Sequence, residues 1–392
     1  MTEHRDPAWM TDDLLAFRDS VRRFVDKELA PKEEEFIAQR RVDPAVWLRA
    51  GAAGLLCASI PEEYGGGGGH FGHEAVITAE LARAGVNSFG NNVHSGIVAH
   101  YIARYGSESQ KQRWLPRMAR GELIAAIAMS EPGAGSDLRA ITTRAVHDGD
   151  DYVIDGGKTF ITNGINAGLV VVVAKTGDGR DSRSASLIVV ETEGLAGFER
   201  GRNLEKIGQK GQDTAELFFS GARVPRANLL GAEEGLGMSQ LMQQLPQERL
   251  IIAVISAAAA RRAVDLTVEY TSERKVFGQR LLSLQNTRFK LAECATKATI
   301  AQTFVDDCIA RQLEGRLDGA TAAMAKWWCS QIYGEVVDEC LQLFGGYGYM
   351  EEFAIARMYT NARVTRIYGG SNEIMKELIA RDLDPQTVRR QH

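Results

Sequence analysis

Three long segments near the end of the chain, Ala253–Arg274, Gln285–Glu314 and Gly319–Phe344, carry helical periodicity with almost no residue that would break a helix. Helices of that length each carry an apolar stripe that none can bury alone. They must pack on one another, which predicts a helical bundle from about residue 236 to the end. The preceding block, about 126–235, has a different period. Beta-branched runs at Tyr152–Ile154, Thr159–Thr162, Leu169–Ala174 and Leu187–Val190 alternate with turn residues at Asp155-Gly156-Gly157, Asn163-Gly164 and Asp178-Gly179. Leu217-Phe218-Phe219 adds a further strand, and Val224-Pro225 closes the block. Short strands at this spacing predict an antiparallel β-barrel or sandwich.

Residues 10 to about 125 read as helices, with Leu14, Leu15, Phe17, Val21, Phe24 and Val25 near helical spacing and further patterns at Glu74–Arg83 and Gly96–Tyr105. The expected organisation is therefore α+β and multidomain: an N-terminal helical domain (1–125), a middle β domain (126–235) and a C-terminal four-helix bundle (236–392). No βαβ unit is visible, so the glycines of FGGYGYM (344–350) do not read as a dinucleotide fingerprint. The glycine run in PEEYGGGGGH (61–70) lacks the GK[ST] of a phosphate loop and reads as a flexible surface turn.

With 44% hydrophobic and 25% charged residues the chain has the composition of a globular enzyme, and its net charge of −5 argues against nucleic acid or an anionic membrane surface as partner. There is no apolar run of transmembrane length. The acidic, proline-containing start is unlike a secretory signal or an arginine-rich transit peptide. Five cysteines without CxxC spacing read as reduced, buried thiols, and a cytoplasmic location is expected. The histidines, including His70 and His73, show no metal-ligand spacing.

The chemistry concentrates in a few segments. Glu248, in QLPQERLII (244–252), is a carboxylate in an apolar helical setting, which is costly unless it is paired or used. On residue type alone it reads as an ion-pair partner of Arg249 or of a neighbouring helix. RIYGGSNEI (366–374) is a two-glycine turn with no acid at Gly369. AMSEPGAGSDLRA (128–140), ERKVFGQ (273–279), QLFGGYGY (342–349) and IYGGSNEI (367–374) stand in an order and spacing that resemble the acyl-CoA dehydrogenase family over essentially the whole chain. LPQERL, FVDDC (304–308) and IYGGSNEIMKELIAR (367–381) resemble its long-chain branch most.

That resemblance implies FAD, an acyl-CoA substrate, electron-transfer flavoprotein as oxidant, and a homo-oligomer, expected to be a tetramer built as a dimer of dimers. It implies that Glu248 is the base that removes the α-proton, a role that most members give to a glutamate at the position of Gly369. The backbone N–H of Gly369 would then serve the thioester carbonyl. Ile127, Met129, Ser130, Phe160, Ile161 and Thr162 would contact the flavin ring, with Phe160 where tryptophan is common. Arg274, Phe277, Gln285, Ser371, Asn372 and Glu373 would hold the pyrophosphate and adenine end. Gln342, Gly345 and Gly346 would reach that end from a neighbouring subunit. Ser136, Gln247, Arg249, Tyr368 and Gly370 would lie near substrate. The expected reaction is α,β-dehydrogenation of medium, long or methyl-branched acyl-CoA, since glycine at 369 would open volume beside the α-carbon. A flavin acyl-CoA oxidase and a non-catalytic acyl-CoA-binding homologue remain the alternatives.

Overall fold

The computed structural model describes residues 6–177 and 184–384. The turn expected at Asp178-Gly179 lies outside them. Helices α1 (Asp12–Phe24), α2 (Glu33–Gln39), α3 (Pro44–Ala52), α4 (Phe71–Ala84), α5 (Asn91–Val93), α6 (His100–Tyr105) and α7 (Glu108–Ala119) come first. Strands β1 (Ala125–Ala128), β2 (Arg144–Asp148), β3 (Asp151–Thr162), β4 (Leu169–Lys175), β5 (Ala185–Glu191), β6 (Phe198–Asn203) and β7 (Thr214–Pro225) follow. Then come α8 (Gly237–Glu273), a short hairpin of β8 (Lys275–Val276) and β9 (Gln279–Arg280), α9 (Gln285–Leu313), α10 (Gly319–Phe344), α11 (Ala354–Ala362) and α12 (Asn372–Leu383). None of the helices in the described residues is long and apolar enough to cross a membrane.

The sheet runs β1-β4-β2-β3-β7-β6, with β5 on the far side of β4. It is mostly antiparallel, but β1 and β2 each pair with β4 in parallel. Alternation explains why β4 and β5 read as unbroken apolar runs. Val171, Val173, Leu187 and Val189 face the core shared with the N-terminal helices, while Val170, Val172, Ile188 and Val190 face the core between the sheet's own strands. Asp155-Gly156-Gly157, expected as a turn, instead lies inside β3 as an irregularity in its pairing with β7. The reason is register: one long strand with bulges spans what periodicity divides into two.

In the bundle, α8, α9 and α10 enclose an interior of small side chains, among them Ala253, Ala257, Ala260, Ala301 and Ala325, which lets the helices approach closely. Helix α4 completes this core from the N-terminal side through Phe71, Ala75 and Ala82. The glycine run at 65–69 is tied rather than loose. Its amides donate to the carbonyls of Glu62, Pro61, Cys57, Ile60 and Ala58 in turn. His70 and His73 form the N-terminal cap of α4, His70 Nδ1 accepting from Gly72 N at 3.1 Å and His73 Nδ1 from His70 N at 3.1 Å.

A cavity lined by a buried carboxylate and a two-glycine turn

Four segments far apart in sequence meet at one cavity of about 580 Å³. Strand β1 brings Ile127, and the loop after it brings Met129, Ser130 and Ser136. The end of β3 brings Phe160, Ile161 and Thr162. Helix α8 contributes Glu248, Arg249, Ile251 and Ile252, and the turn before α12 contributes Tyr368, Gly369 and Gly370.

Local strain aims Phe160. Its φ is +62°, and the β3–β7 register slips between Lys158 and Ile161. A bulge re-directs the side chain out of the pleat, leaving an aromatic ring 69% exposed to the cavity. The loop opposite is held by a buried ion pair. Lys158 Nζ donates to Glu131 Oε1 at 2.9 Å and to the Met129 carbonyl at 3.0 Å. Thr159 N donates to the Ser130 carbonyl at 3.0 Å.

Glu248 is only 6% exposed. Among the described residues one hydrogen bond reaches it, from the Tyr101 hydroxyl of α6 to Oε1 at 2.8 Å. Burial pushes its carboxyl up to about 7, against the opposing pull of the Tyr101 bond and the Arg249 charge. Arg249 is itself buried, and its Nε has no partner among the described residues. Among the described residues Glu248 forms no ion pair with Arg249, whose charge acts on it without direct contact.

In the lining of the same cavity, Gly369 and Gly370 have φ of +64° and +89°, a left-handed pair that side chains rarely adopt. Tyr368 N donates to the Val364 carbonyl at 3.1 Å, but Gly369 N makes no hydrogen bond within the described residues. A Cβ placed on Gly369 would overlap Cδ1 of Ile252, so the tip of that side chain lies beside the turn from the helix side.

Other expected site residues lie elsewhere. Gln247 turns away from the cavity, its Nε2 donating to the Gly96 carbonyl at 3.0 Å and its Oε1 accepting from Gln312 at 3.3 Å. Arg274, Gln342, Gly345 and Gly346 share a second cavity of about 780 Å³ that has no lining residue in common with the first. Arg274 there sits over the Tyr347 ring at 5.7 Å. Phe277, 95% exposed at the tip of the β8–β9 hairpin, and the exposed Gln285 border this region without lining it. Ser371 caps α12 by accepting from Ile374 N, and Glu373 is exposed on its first turn. Asn372 is buried under the turn, where Oδ1 accepts from Lys326 and Ser330. Sequence reasoning missed Tyr101, Ile252 and Lys326. Each is an ordinary helical residue whose partner lies tens of residues away, so no local signal marks it.

Models of the acyl-CoA dehydrogenase N-terminal, middle and C-terminal domains match residues 11–122, 126–222 and 235–383. The chain is 46% identical over 371 residues to the mitochondrial long-chain specific acyl-CoA dehydrogenase of Sus scrofa, covering 94% of this chain and 85% of that one. The crystal structure of an acyl-CoA dehydrogenase from Geobacillus kaustophilus superposes with a TM-score of 0.94 at 46% identity, over 97% of this chain and 100% of that one. A glutaryl-CoA dehydrogenase from Mycobacterium smegmatis, solved in complex with FADH2, superposes at 0.88 with 27% identity over 95% of each chain. Since three domain models match in sequence order and the fold agrees almost end to end, the chain belongs to the acyl-CoA dehydrogenase family, FAD-dependent oxidoreductases.

Proposed function

We propose that this acyl-CoA dehydrogenase removes the α-proton of its thioester with Glu248, projected from α8, and binds the thioester oxygen with the N–H of Gly369. The observation that carries the proposal is that both line one cavity: a buried carboxylate with a single hydrogen bond among the described residues, and a backbone donor with no acceptor among them. A carboxyl group near 7 is matched to proton abstraction at neutral pH. As the α-proton leaves, charge develops on the thioester oxygen, where a fixed N–H is most effective. FAD, when bound, supplies the acceptor for the β-hydride, and the Cα–Cβ double bond forms as that hydride leaves.

The chain suits that cofactor. The ring of Phe160 offers an aromatic face, and Ile127, Met129 and Ile161 form an apolar slot with Ser130 and Thr162 as polar groups at its edge. Ser136, Arg249, Tyr368 and Gly370 are assigned to the substrate side, and Gln247 to holding α8 against Gly96. Arg274, Gln342, Gly345 and Gly346, which line a separate cavity, and Phe277 and Gln285, which border it, are assigned to the distal end of FAD from a second copy of the chain. Ser371 and Glu373 are assigned to the same cofactor from the N-terminus of α12. This arrangement supports a homo-oligomer, with a tetramer as the proposed state and electron-transfer flavoprotein as the electron acceptor. Domain joins are proposed at 125/126 and 235/236, near the starts of β1 and α8. Five buried free thiols support a reducing compartment, here the cytoplasm.

For the substrate, we favour medium to long straight chains over α-branched ones, because the tip of Ile252 lies beside Gly369. Anaerobic flavin bleaching against acyl-CoAs of graded length and branching tests this reading. Fastest bleaching by 2-methyl-branched acyl-CoAs would overturn the substrate assignment, and wild-type bleaching by Glu248→Gln would overturn the base. Peroxide release in air would indicate an oxidase, and absence of bleaching a binding homologue.

A further inference from the structure

Lys326 of α10 is fully buried, 0% exposed, and no carboxylate pairs with it among the described residues. Its ammonium donates to the carbonyl of Gly370 at 2.7 Å and to Asn372 Oδ1 at 3.0 Å. Ser330, one turn further along α10, donates to the same Asn372 oxygen at 3.1 Å. Burying an ammonium costs several kcal/mol, and two neutral acceptors offset this poorly. An apolar side chain of equal length would fill the space at less cost. The lysine therefore needs a reason beyond packing, and the place of its two acceptors supplies one.

Both acceptors belong to the turn that carries Gly369. Two successive glycines with positive φ have soft dihedrals, so the peptide planes of this turn are free to rotate unless something anchors them. On one side Tyr368 N is anchored to Val364. On the other side Lys326 holds the Gly370 carbonyl, and Lys326 and Ser330 hold the side chain of Asn372, the first residue of α12. Between these anchors lies the Gly369 N–H, without a protein acceptor.

We propose that Lys326 is a positioning residue for catalysis: by holding the Gly370 carbonyl and Asn372 it fixes the direction of the Gly369 N–H toward the thioester oxygen. The proposal rests on the assignment of that N–H to the oxygen. It predicts a loss confined to the step in which negative charge develops on the oxygen, with little effect on binding of the neutral thioester.

The test uses the FAD-loaded enzyme and a 3-thia-acyl-CoA of the chain length that bleaches wild-type flavin fastest. Sulfur at the β-position allows α-proton removal without β-hydride loss, so the ionised thioester accumulates and is read by its long-wavelength absorbance beside the flavin. Lys326→Met is expected to lower the ionised fraction about 10-fold, part of the ~10²–10³-fold that loss of such a donor costs. Affinity for the neutral form should change less than about 3-fold, within the non-additive scatter of single contacts. Wild-type ionisation in a Lys326→Met protein that retains FAD overturns the proposal, as does a loss of affinity equal to the loss of ionisation. If that variant does not retain FAD, Asn372→Ala decides. It removes one of the two acceptors, and ionisation should fall about 3-fold, the smaller share of the same donor's effect; unchanged ionisation overturns the proposal. Glu248→Gln serves as the control: ionisation that survives in it removes the base assignment whatever Lys326 does.

Discussion

Two buried glutamates in this chain have nearly the same exposure and opposite chemistry. Glu131, 5% exposed, accepts from Thr142 N, Thr142 Oγ1, Thr143 N and Lys158 Nζ. Burial alone would raise its carboxyl, but these donors outweigh burial and hold it down to about 2. Glu248, 6% exposed, has Tyr101 alone and is pushed up to about 7. Burial is common to both, so the number of donors decides which stays ionised and which can exchange a proton. The signs of their pH dependence differ accordingly. Glu131 contributes stability that is present above the ordinary carboxyl value of 4.5 and is lost as pH falls through about 2. Glu248 is protonated in the folded state when the unfolded chain has already ionised. Its contribution is therefore fully present below 4.5 and is lost as pH rises through about 7.

Removing the exchangeable proton site has the largest expected effect. Glu248→Gln should retain FAD and lose ~10²–10⁴-fold in turnover, the usual size of a general-base contribution; stopped-flow bleaching measures it, and a loss under tenfold breaks the comparison. At the other carboxylate the effect should be on folding. Lys158→Met leaves Glu131 buried without its cation, and denaturant titration should show a loss of about 3–5 kcal/mol. An unchanged midpoint would mean that the Thr142 and Thr143 donors suffice alone.

The space between helix and turn gives a smaller effect. Ile252→Ala should raise kcat/KM for 2-methyl-branched relative to straight acyl-CoA by about 10-fold, the worth of one or two methylenes in a pocket. An unchanged ratio would show that some other wall sets branching. The finest test concerns Tyr101. For the wild type, kcat/KM should rise with pH through about 7 as Glu248 ionises. Tyr101→Phe removes the bond that favours the ionised form, so the rising limb should move upward by about 1–2 pH units, equivalent to a hydrogen bond to a charge. A downward shift, or none, would show that Tyr101 does not control the base.

The helices of the bundle were legible because they need only periodicity and the absence of breakers. The expected segments starting at Gln285 and Gly319 begin where α9 and α10 begin. The middle block was legible as short strands, but not in its pairing. Nothing in the alternation of Leu169–Ala174 says that β4 lies parallel to β1 and β2, because partner choice depends on residues distant in sequence. Glu248 and Gly369 were singled out through family spacing alone, and both line one cavity. Tyr101 was not, since 147 residues separate it from the carboxylate it touches.

Local pattern, then, determined which stretches are helix and strand, and the motif order determined the family. Both depend on neighbours within a few turns of chain or on short strings read in register. Only the tertiary structure decided that one buried glutamate has four donors and the other has one, that the tip of Ile252 lies beside Gly369, and that Lys326 lies beneath the turn. A side chain's pKa and the room beside it are set by groups brought into contact from remote parts of the chain, and those contacts exist only after folding.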